Sequence, residues 1–336
     1  MKSLNRSILV LCAAATGAFG LLATVPAQAL EKGADVSYVP QMEAAGYKWK
    51  NSSGTQEDIL KICHDMGMNL IRLRTWVNPS NSPTSGHCDQ AETIAMAQRI
   101  KAAGMDVMID FHYGDTWNSV GVQNPPAAWV GQSYATMKST LYNYTENFCK
   151  ALKAAGVTPK YASPGNEVNS GICHPTGSIS DPSQMTGLIN SGYDAIKAVF
   201  PDCLVVIHVA QIQDSGAQTM LDAYKANGGH WDVTGYSCYA SGSEVAGLVA
   251  AGKALQSRYG KPILQVEFGE SESKASSAKT DLQAYFNGMK ALGSNGLGVL
   301  YWEPEVYPAF NPSDTSGAWD QSSEEPTSAL QPMGSN

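Results

Sequence analysis

This chain is short of the features that would make it a membrane, metal or nucleotide protein. Beyond its first 29 residues, no run approaches the ~20 consecutive apolar residues a membrane span needs. There is no C-x-x-C pair and no H-E-x-x-H among 336 residues, so a zinc site has no framework. No G-x-G-x-x-G turn follows the first strand-like segment, which removes the fingerprint of a dinucleotide fold. Charged residues make up only 15% of the chain, and the formal charge is −8. No basic block offers a footing for nucleic acid. An uncharged partner fits this balance.

What is present begins with an export signal. Lys2 and Arg6 precede a largely apolar stretch from Ile8 to Val25, and Ala27-Gln28-Ala29 has the small-x-small form of a cleavage site. Residues 1–29 are therefore expected to be removed, and the mature chain to be secreted: extracellular, or periplasmic in a Gram-negative source. Residues 30–336 are long enough for one barrel or two modest domains. Of seven cysteines, Cys12 lies in the signal. The other six, Cys63, Cys88, Cys149, Cys173, Cys203 and Cys238, are even in number in an exported chain, so at least one disulfide is expected. Their spacing does not choose the pairing.

The mature chain alternates short apolar runs with longer amphipathic ones. Strands are expected at 34–39, 69–77, 106–113, 160–167, 203–210, 232–239, 262–268 and 298–302. Helical periodicity occupies 56–66, 92–103, 133–155, 184–200, 217–226, 244–259 and 276–292. Gly67, Gly104, Gly156 and Gly293 sit where helices should stop. Eight strand–helix units with nearly continuous apolar strands indicate an α/β fold, a single-domain (β/α)8 TIM barrel. The segment from about 304 is irregular and is expected to wrap the barrel end or fray. A doubly wound open sheet is the alternative. The polar residues favour the barrel: Arg72, Arg74, His112, Asp115, Asn166, Glu167, His208, Tyr239, Glu267 and Trp302 all fall at the C-terminal ends of strands. Only a closed barrel gathers those ends on one face.

Glu167 and Glu267 stand out because each ends an apolar run, where a buried carboxylate must be paired or used. Each taken alone could be a solvated loop residue. Brought together, two carboxylates are the apparatus of glycoside cleavage, one protonating the leaving oxygen and one serving the anomeric carbon. Strands four and seven lie across a barrel from one another, so their ends can meet. Trp76, Trp117 and Trp302 suit the C–H faces of sugars. Arg72 could instead form a structural ion pair with Asp110, and His208 could be a core residue. Trp49 and Trp129 read as packing. Glu303 and Glu305 could brace a loop or contact sugar.

Five segments then carry a resemblance: Gly33-Ala34-Asp35-Val36-Ser37, the run from Ile71 to Pro79, the run from Asp110 to Trp117, Gly165-Asn166-Glu167, and the run from Gly298 to Pro304. In this order the chain resembles glycoside hydrolase family 53, endo-acting β-1,4-galactanases on a retaining (β/α)8 barrel. The resemblance implies a polysaccharide substrate, the (arabino)galactan of plant pectin. It makes Glu167 the acid/base, Glu267 the nucleophile and Asn166 the partner of the neighbouring sugar hydroxyl. It places Arg74, with Arg72, beside Glu267 to keep it ionised, Tyr239 on the same carboxylate, and Trp302 under the reacting sugar. His112, Asp115 and Trp117 would line the cleft. Departures such as Ser237-Cys238-Tyr239-Ala240, and Val209, Ala210 and Gln211 after His208, fall in the cleft and bear on substrate choice. Another neutral β-glycan, a mannan or glucan, is the rival substrate, and a binding barrel without turnover the rival class. No organic cofactor and no metal are expected, and the protein is expected to act as a monomer with neither nucleic acid nor membrane as partner.

Overall fold

The computed structural model describes residues 29–335. Eight parallel strands close into a barrel: β1 (Glu31–Asp35), β2 (Leu70–Thr75), β3 (Asp106–Phe111), β4 (Tyr161–Pro164), β5 (Leu204–Ala210), β6 (Val233–Ser237), β7 (Ile263–Phe268) and β8 (Gly296–Trp302). Closure is made where β1 pairs with both β8 and β2. Among the described residues, seven longer helices cover the outside: α1 (Ile59–Asp65), α2 (Gln90–Ala102), α3 (Tyr134–Ala154), α4 (Pro182–Val199), α5 (Ser215–Ala226), α6 (Val245–Tyr259) and α7 (Ala275–Ala291). The (β/α)8 TIM barrel read from the alternation is the fold.

Two periodicities separate the inside from the outside. Along β2, Ile71 and Leu73 join the apolar layer under the helices, while Leu70, Arg72 and Arg74 occupy the other face. The barrel interior is apolar at its N-terminal end, where Leu70, Met108, Tyr161, Val206 and Val233 pack together. Toward the C-terminal end the inward positions turn polar: Asp35, Arg72, Asp110, His208 and Ser237, all buried. The strands thus deliver charge to one mouth and hydrocarbon to the other.

The first strand starts three residues earlier than expected, at Glu31. Burial of that carboxylate is compensated by Lys160 Nζ at 2.8 Å and the Tyr161 hydroxyl at 2.9 Å. Residues Val39–Ala44 form a short helix with Pro40 in its first turn. The helix expected from residue 56 begins at Ile59, because Asp58 caps it through the Leu60 amide at 2.8 Å. Gln56–Glu57 pairs instead with Trp49–Lys50 in a small ribbon. Gly104 and Gly156 take left-handed φ values of 89° and 78° just past α2 and α3. The irregular C-terminal segment wraps the barrel. Trp319, Leu330 and Met333 are buried, and Trp319 Nε1 donates to the Lys50 carbonyl at 3.1 Å.

The expectation of a disulfide is not met. All six cysteines among the described residues are free and buried. They pack as small hydrophobes: Cys173 Sγ lies 3.8 Å from the Tyr113 carbonyl and Cys238 Sγ 4.0 Å from Gln213 Oε1. The signal segment lies outside the described residues, except Ala29.

Candidate active site

Four non-glycine residues with left-handed backbone follow strand ends on one face: Tyr113 (φ 50°) after β3, Glu167 (48°) after β4, Gln211 (51°) after β5 and Glu303 (45°) after β8. Such conformations are costly for residues with a Cβ and collect where function needs them. They mark the C-terminal mouth as the working face.

Glu267 lies within β7 and is 4% exposed. Its Oε1 is 2.9 Å from Arg72 Nη1, and its Oε2 accepts from the Tyr239 hydroxyl at 2.7 Å. Burial pushes its carboxyl up to about 8; Arg72 and the Tyr239 hydrogen bond oppose that rise, and the Glu167 charge adds to it. Glu167, three residues past β4 and half-buried, accepts a short hydrogen bond from the Ser237 hydroxyl. Ser237 is the in-register neighbour of Glu267 across the β6–β7 pairing. The strand-four glutamate thus reaches over the barrel to the strand that flanks the strand-seven glutamate. Gln123 Nε2 donates to the carbonyls of Asn166 (2.8 Å) and Glu167 (3.2 Å), fixing this turn.

Arg72 is the centre of the charge network. Fully buried, it bonds Asp35 Oδ2 (2.8 Å), Asp110 Oδ2 (2.7 Å), Asn166 Oδ1 (2.9 Å) and Glu267. The two open readings of Arg72 are therefore both met: it pairs with Asp110 and also holds the glutamate. Burial works to raise Asp110, yet Arg72 and His112 take it well below the usual carboxylate range. Asn166 Nδ2 donates to the Asn118 carbonyl at 2.8 Å, so this side chain is held at both ends.

Arg74 departs from its expected place. Its guanidinium pairs with Glu303, and it lies over the rings of Tyr38 (4.1 Å), Trp117 (4.6 Å) and Trp76 (5.3 Å). Arg72 alone contacts Glu267, because β2 brings Arg72 into register with Asp35 at the barrel centre. Glu303 and Glu305 are fully buried, so neither reaches a sugar in the cleft. Burial raises both carboxyls; Arg74 offsets part of the rise in each, Glu305 adds to that of Glu303, and the hydrogen bond with Glu303 eases that of Glu305.

The cleft beside Glu267 is a cavity of about 560 Å³ walled by Trp117, Trp302, Tyr239, Tyr38 and the loop from 311 to 316. Trp117 and Trp302 meet edge to face at 5.9 Å. Trp302 Nε1 donates to Asp314 Oδ2 at 3.2 Å, which steadies the ring. Tyr239 leaves 45% of its surface open to the cleft while its hydroxyl turns inward. Trp76 does not line this space. It is fully buried, edge-on behind Trp117 at 5.1 Å. Asp115 also has another task, bracing loops through the amides of Asn78 (3.0 Å) and Ala127 (2.8 Å). His112 is buried under Trp117 with Nε2 3.2 Å from Asp110. His208 is buried inside the barrel, and burial, with Arg72 nearby, pushes its imidazole down to about 3, so it is neutral.

Sequence reasoning missed Asp35, Ser237, Gln123 and Asp314. Asp35 had a signal, since it continues the Glu31, Gly33 alternation into the polar layer. Ser237, the last residue of β6, was read only as part of a departure in the cleft, and Gln123 and Asp314 had no signal, because their contacts depend on loop paths. No group of three or more His, Cys, Asp or Glu side chains that could hold a metal occurs among the described residues. No helix among them is long and apolar enough to cross a membrane.

A closed barrel that brings one half-buried and one buried glutamate to its C-terminal mouth, beside a tryptophan-walled cleft, belongs to the class of glycoside-hydrolysing barrels. The comparisons agree and narrow the class. Residues 31–331 match the model of glycosyl hydrolase family 53, and the chain belongs to that family. It is 32% identical over 313 residues to the probable arabinogalactan endo-β-1,4-galactanase A of Aspergillus terreus, covering 84% of this chain and 88% of that one. It is 29% identical over 305 residues to the endo-β-1,4-galactanase of Bacillus subtilis, covering 82% and 70%. Among solved structures, a fungal β-1,4-galactanase superposes with a TM-score of 0.82 at 28% identity, over 91% of this chain and 99% of that one. The family 53 catalytic domain of Ignisphaera aggregans gives 0.81 at 26% identity, over 90% and 95%.

Proposed function

We propose that this protein is a secreted, monomeric endo-β-1,4-galactanase that cleaves the (arabino)galactan of plant pectin with retention of configuration. The observation that carries the reading is the approach of Glu167, through Ser237, to the strand next to Glu267, beside a cleft walled by Trp117 and Trp302. Glu267 is the nucleophile: the Arg72 ion pair and the Tyr239 hydroxyl on its two oxygens work against the rise that burial causes. Glu167, half-buried at the mouth, is the acid that protonates the leaving oxygen and the base that then activates water. Asn166, clamped by Arg72 and Asn118, offers its amide to the hydroxyl beside the reacting carbon. Trp302 and Trp117 take the apolar faces of the hexoses. His208, neutral, and His112, held against Asp110, stay beneath and shape the floor. Arg74 and Trp76 support Trp117 from behind, and Asp115 holds the loops that carry it. No cofactor or metal enters this scheme. The names of the relatives direct the choice of galactan over mannan or glucan.

Chromatography of digests of linear β-1,4-galactan, mannan and cellulose tests the substrate, with short galacto-oligosaccharides expected from the first alone. The roles separate by substitution. Glu267→Ala should lose turnover on every substrate, because no glycosyl–enzyme forms. Glu167→Ala should still form that intermediate from an aryl galactoside with a good leaving group, and azide should then restore turnover with retained configuration. An inverted azide product from Glu167→Ala would exchange the two roles. Sugar binding without turnover in the wild type would make the protein a carbohydrate-binding barrel instead.

A further inference from the structure

Beside the cleft on the same face lies a second basin of about 510 Å³, walled by Pro40, Gln41, Tyr47, Pro83, His87 and Phe310. The chemistry proposed above makes no use of it. Chain neighbours flank the divide between the two spaces: Tyr38, Thr84 and Asn311 line the cleft, while Pro40, Pro83 and Phe310 line the basin. The divide is a tied saddle. The Tyr38 hydroxyl donates to the Thr84 carbonyl at 3.1 Å and accepts from Asn311 Nδ2 at 3.4 Å. A chain leaving the cleft on the side of the first strand passes over that saddle into the basin.

Three features of the basin fit a sugar. The half-buried Tyr47 ring is held between Phe310, edge-on at 5.8 Å, and Tyr307 at 5.7 Å, so a ligand meets a fixed aromatic surface. Gln41, a residue of the basin wall, is only 8% exposed, and its side-chain carbonyl has no hydrogen-bond partner. A buried unpaired amide oxygen is costly, and a sugar hydroxyl is a donor that would satisfy it. The rim is also stiff and strained: His87 and Cys88 have φ of 62° and 54°, and Glu92 holds both, through His87 Nδ1 at 2.9 Å and the Cys88 amide at 2.6 Å. Apolar walls with a few fixed polar groups are the make-up of a small-ligand site.

We propose that this basin is a remote binding site for the glycan chain that occupies the cleft, with Tyr47 as its stacking platform and Gln41 as its hydrogen-bond acceptor. The inference rests on the reading of the cleft as a β-1,4-galactan site. Its test compares kcat/KM of the wild type, Tyr47→Ala and Ala44→Arg on polymeric galactan and on galacto-oligosaccharides of increasing length. Ala44, exposed at the end of the short helix on the rim, takes an arginine that obstructs the basin without touching the core. Both variants should match the wild type on the shortest substrates that are cut. On long oligosaccharides and polymer they should fall by roughly three- to tenfold, the scale of one lost ring contact. Wild-type length dependence retained in both variants overturns the inference, and so does an equal loss at every length. If the wild type cuts no galactan or galacto-oligosaccharide, the functional reading fails first and the remote site with it.

Discussion

Arg72 is one cation facing three carboxylates, those of Asp35, Asp110 and Glu267. A single guanidinium cannot hold all three ionised with equal ease, and the one also beside Glu167 is Glu267, whose carboxyl is raised. Tyr239 is therefore more than a wall of the cleft. Its hydroxyl supplies the second donor to the ionised Glu267. In Tyr239→Phe the acid limb of the kcat/KM profile should move to higher pH by roughly one to two units, the equivalent of one hydrogen bond to a charge. An unmoved limb would mean that the hydroxyl does not act on Glu267. The two glutamates stood out in the sequence because each ends an apolar run, where a carboxylate has few other reasons to be, whereas the roles given to Asn166 and Trp302 came with the family resemblance. The division of labour between Arg72 and Arg74 was not legible. Both alternate onto the same face of β2, and which one meets Glu267 depends on the stagger between β1 and β2, which no local pattern encodes. Trp76 and Asp115 were misread for a related reason: a residue at a strand end faces either the cleft or the loop packed beside it.

The strands and helices were nearly all legible, since the alternation of apolar runs with amphipathic ones records the burial of each layer. Boundaries moved where a tertiary partner intervened, as with Glu31, drawn into β1 by Lys160 and Tyr161. Two glycines test how local the elements' requirements are. At Gly156, just past α3, a Cβ would meet nothing within 4 Å, but φ is 78°. Gly156→Ala should therefore lose only about 1 kcal/mol, the cost of a left-handed alanine, with unchanged activity. Denaturant unfolding should show a lower midpoint at constant slope. At Gly33 in β1 a Cβ would sit 1.7 Å from the Leu70 carbonyl oxygen of β2. Gly33→Ala should part the strands that close the barrel, and expression of soluble, active protein should collapse. A Gly33→Ala enzyme of normal stability would show that closure between β1 and β2 tolerates a wider spacing. The cysteines belong to this scale too. Their even number, in a chain expected to be exported, was a reason to expect a bridge, but all six thiols are buried and unbridged.

At the scale of the whole molecule, the charge stored inside the barrel sets how stability should depend on pH. Glu267 and Glu305 are buried with carboxyls pushed up to about 8, and Glu303 is raised with its neighbour. Glu303 and Glu305 share one arginine, Arg74, so the pair keeps a proton that the unfolded chain gives up near pH 4.3. Between about pH 5 and 8 the folded state thus binds more protons than the unfolded state at Glu267 and at this pair. Stability from these groups is fully present in mild acid and is lost as pH rises toward 8. His208 acts in the opposite sense: its imidazole is held down to about 3, so the unfolded state binds its proton up to about 6.5 and stability rises with pH until then. Asp110, depressed by Arg72 and His112, contributes only below pH 5. The raised carboxyls outweigh the single histidine, so stability falls as pH rises from 5 to 8, and more steeply above about 6.5, where the unfolded state no longer holds the His208 proton. Denaturation midpoints at pH 5, 6.5 and 8 should fall in that order, more steeply over the second interval. Glu305→Gln, which keeps the shape of the side chain and removes its titration, should make both intervals shallower. A midpoint that rises from pH 5 to 8 in the wild type would mean that the buried carboxyls are ionised throughout, with Arg72 and Arg74 carrying them unaided.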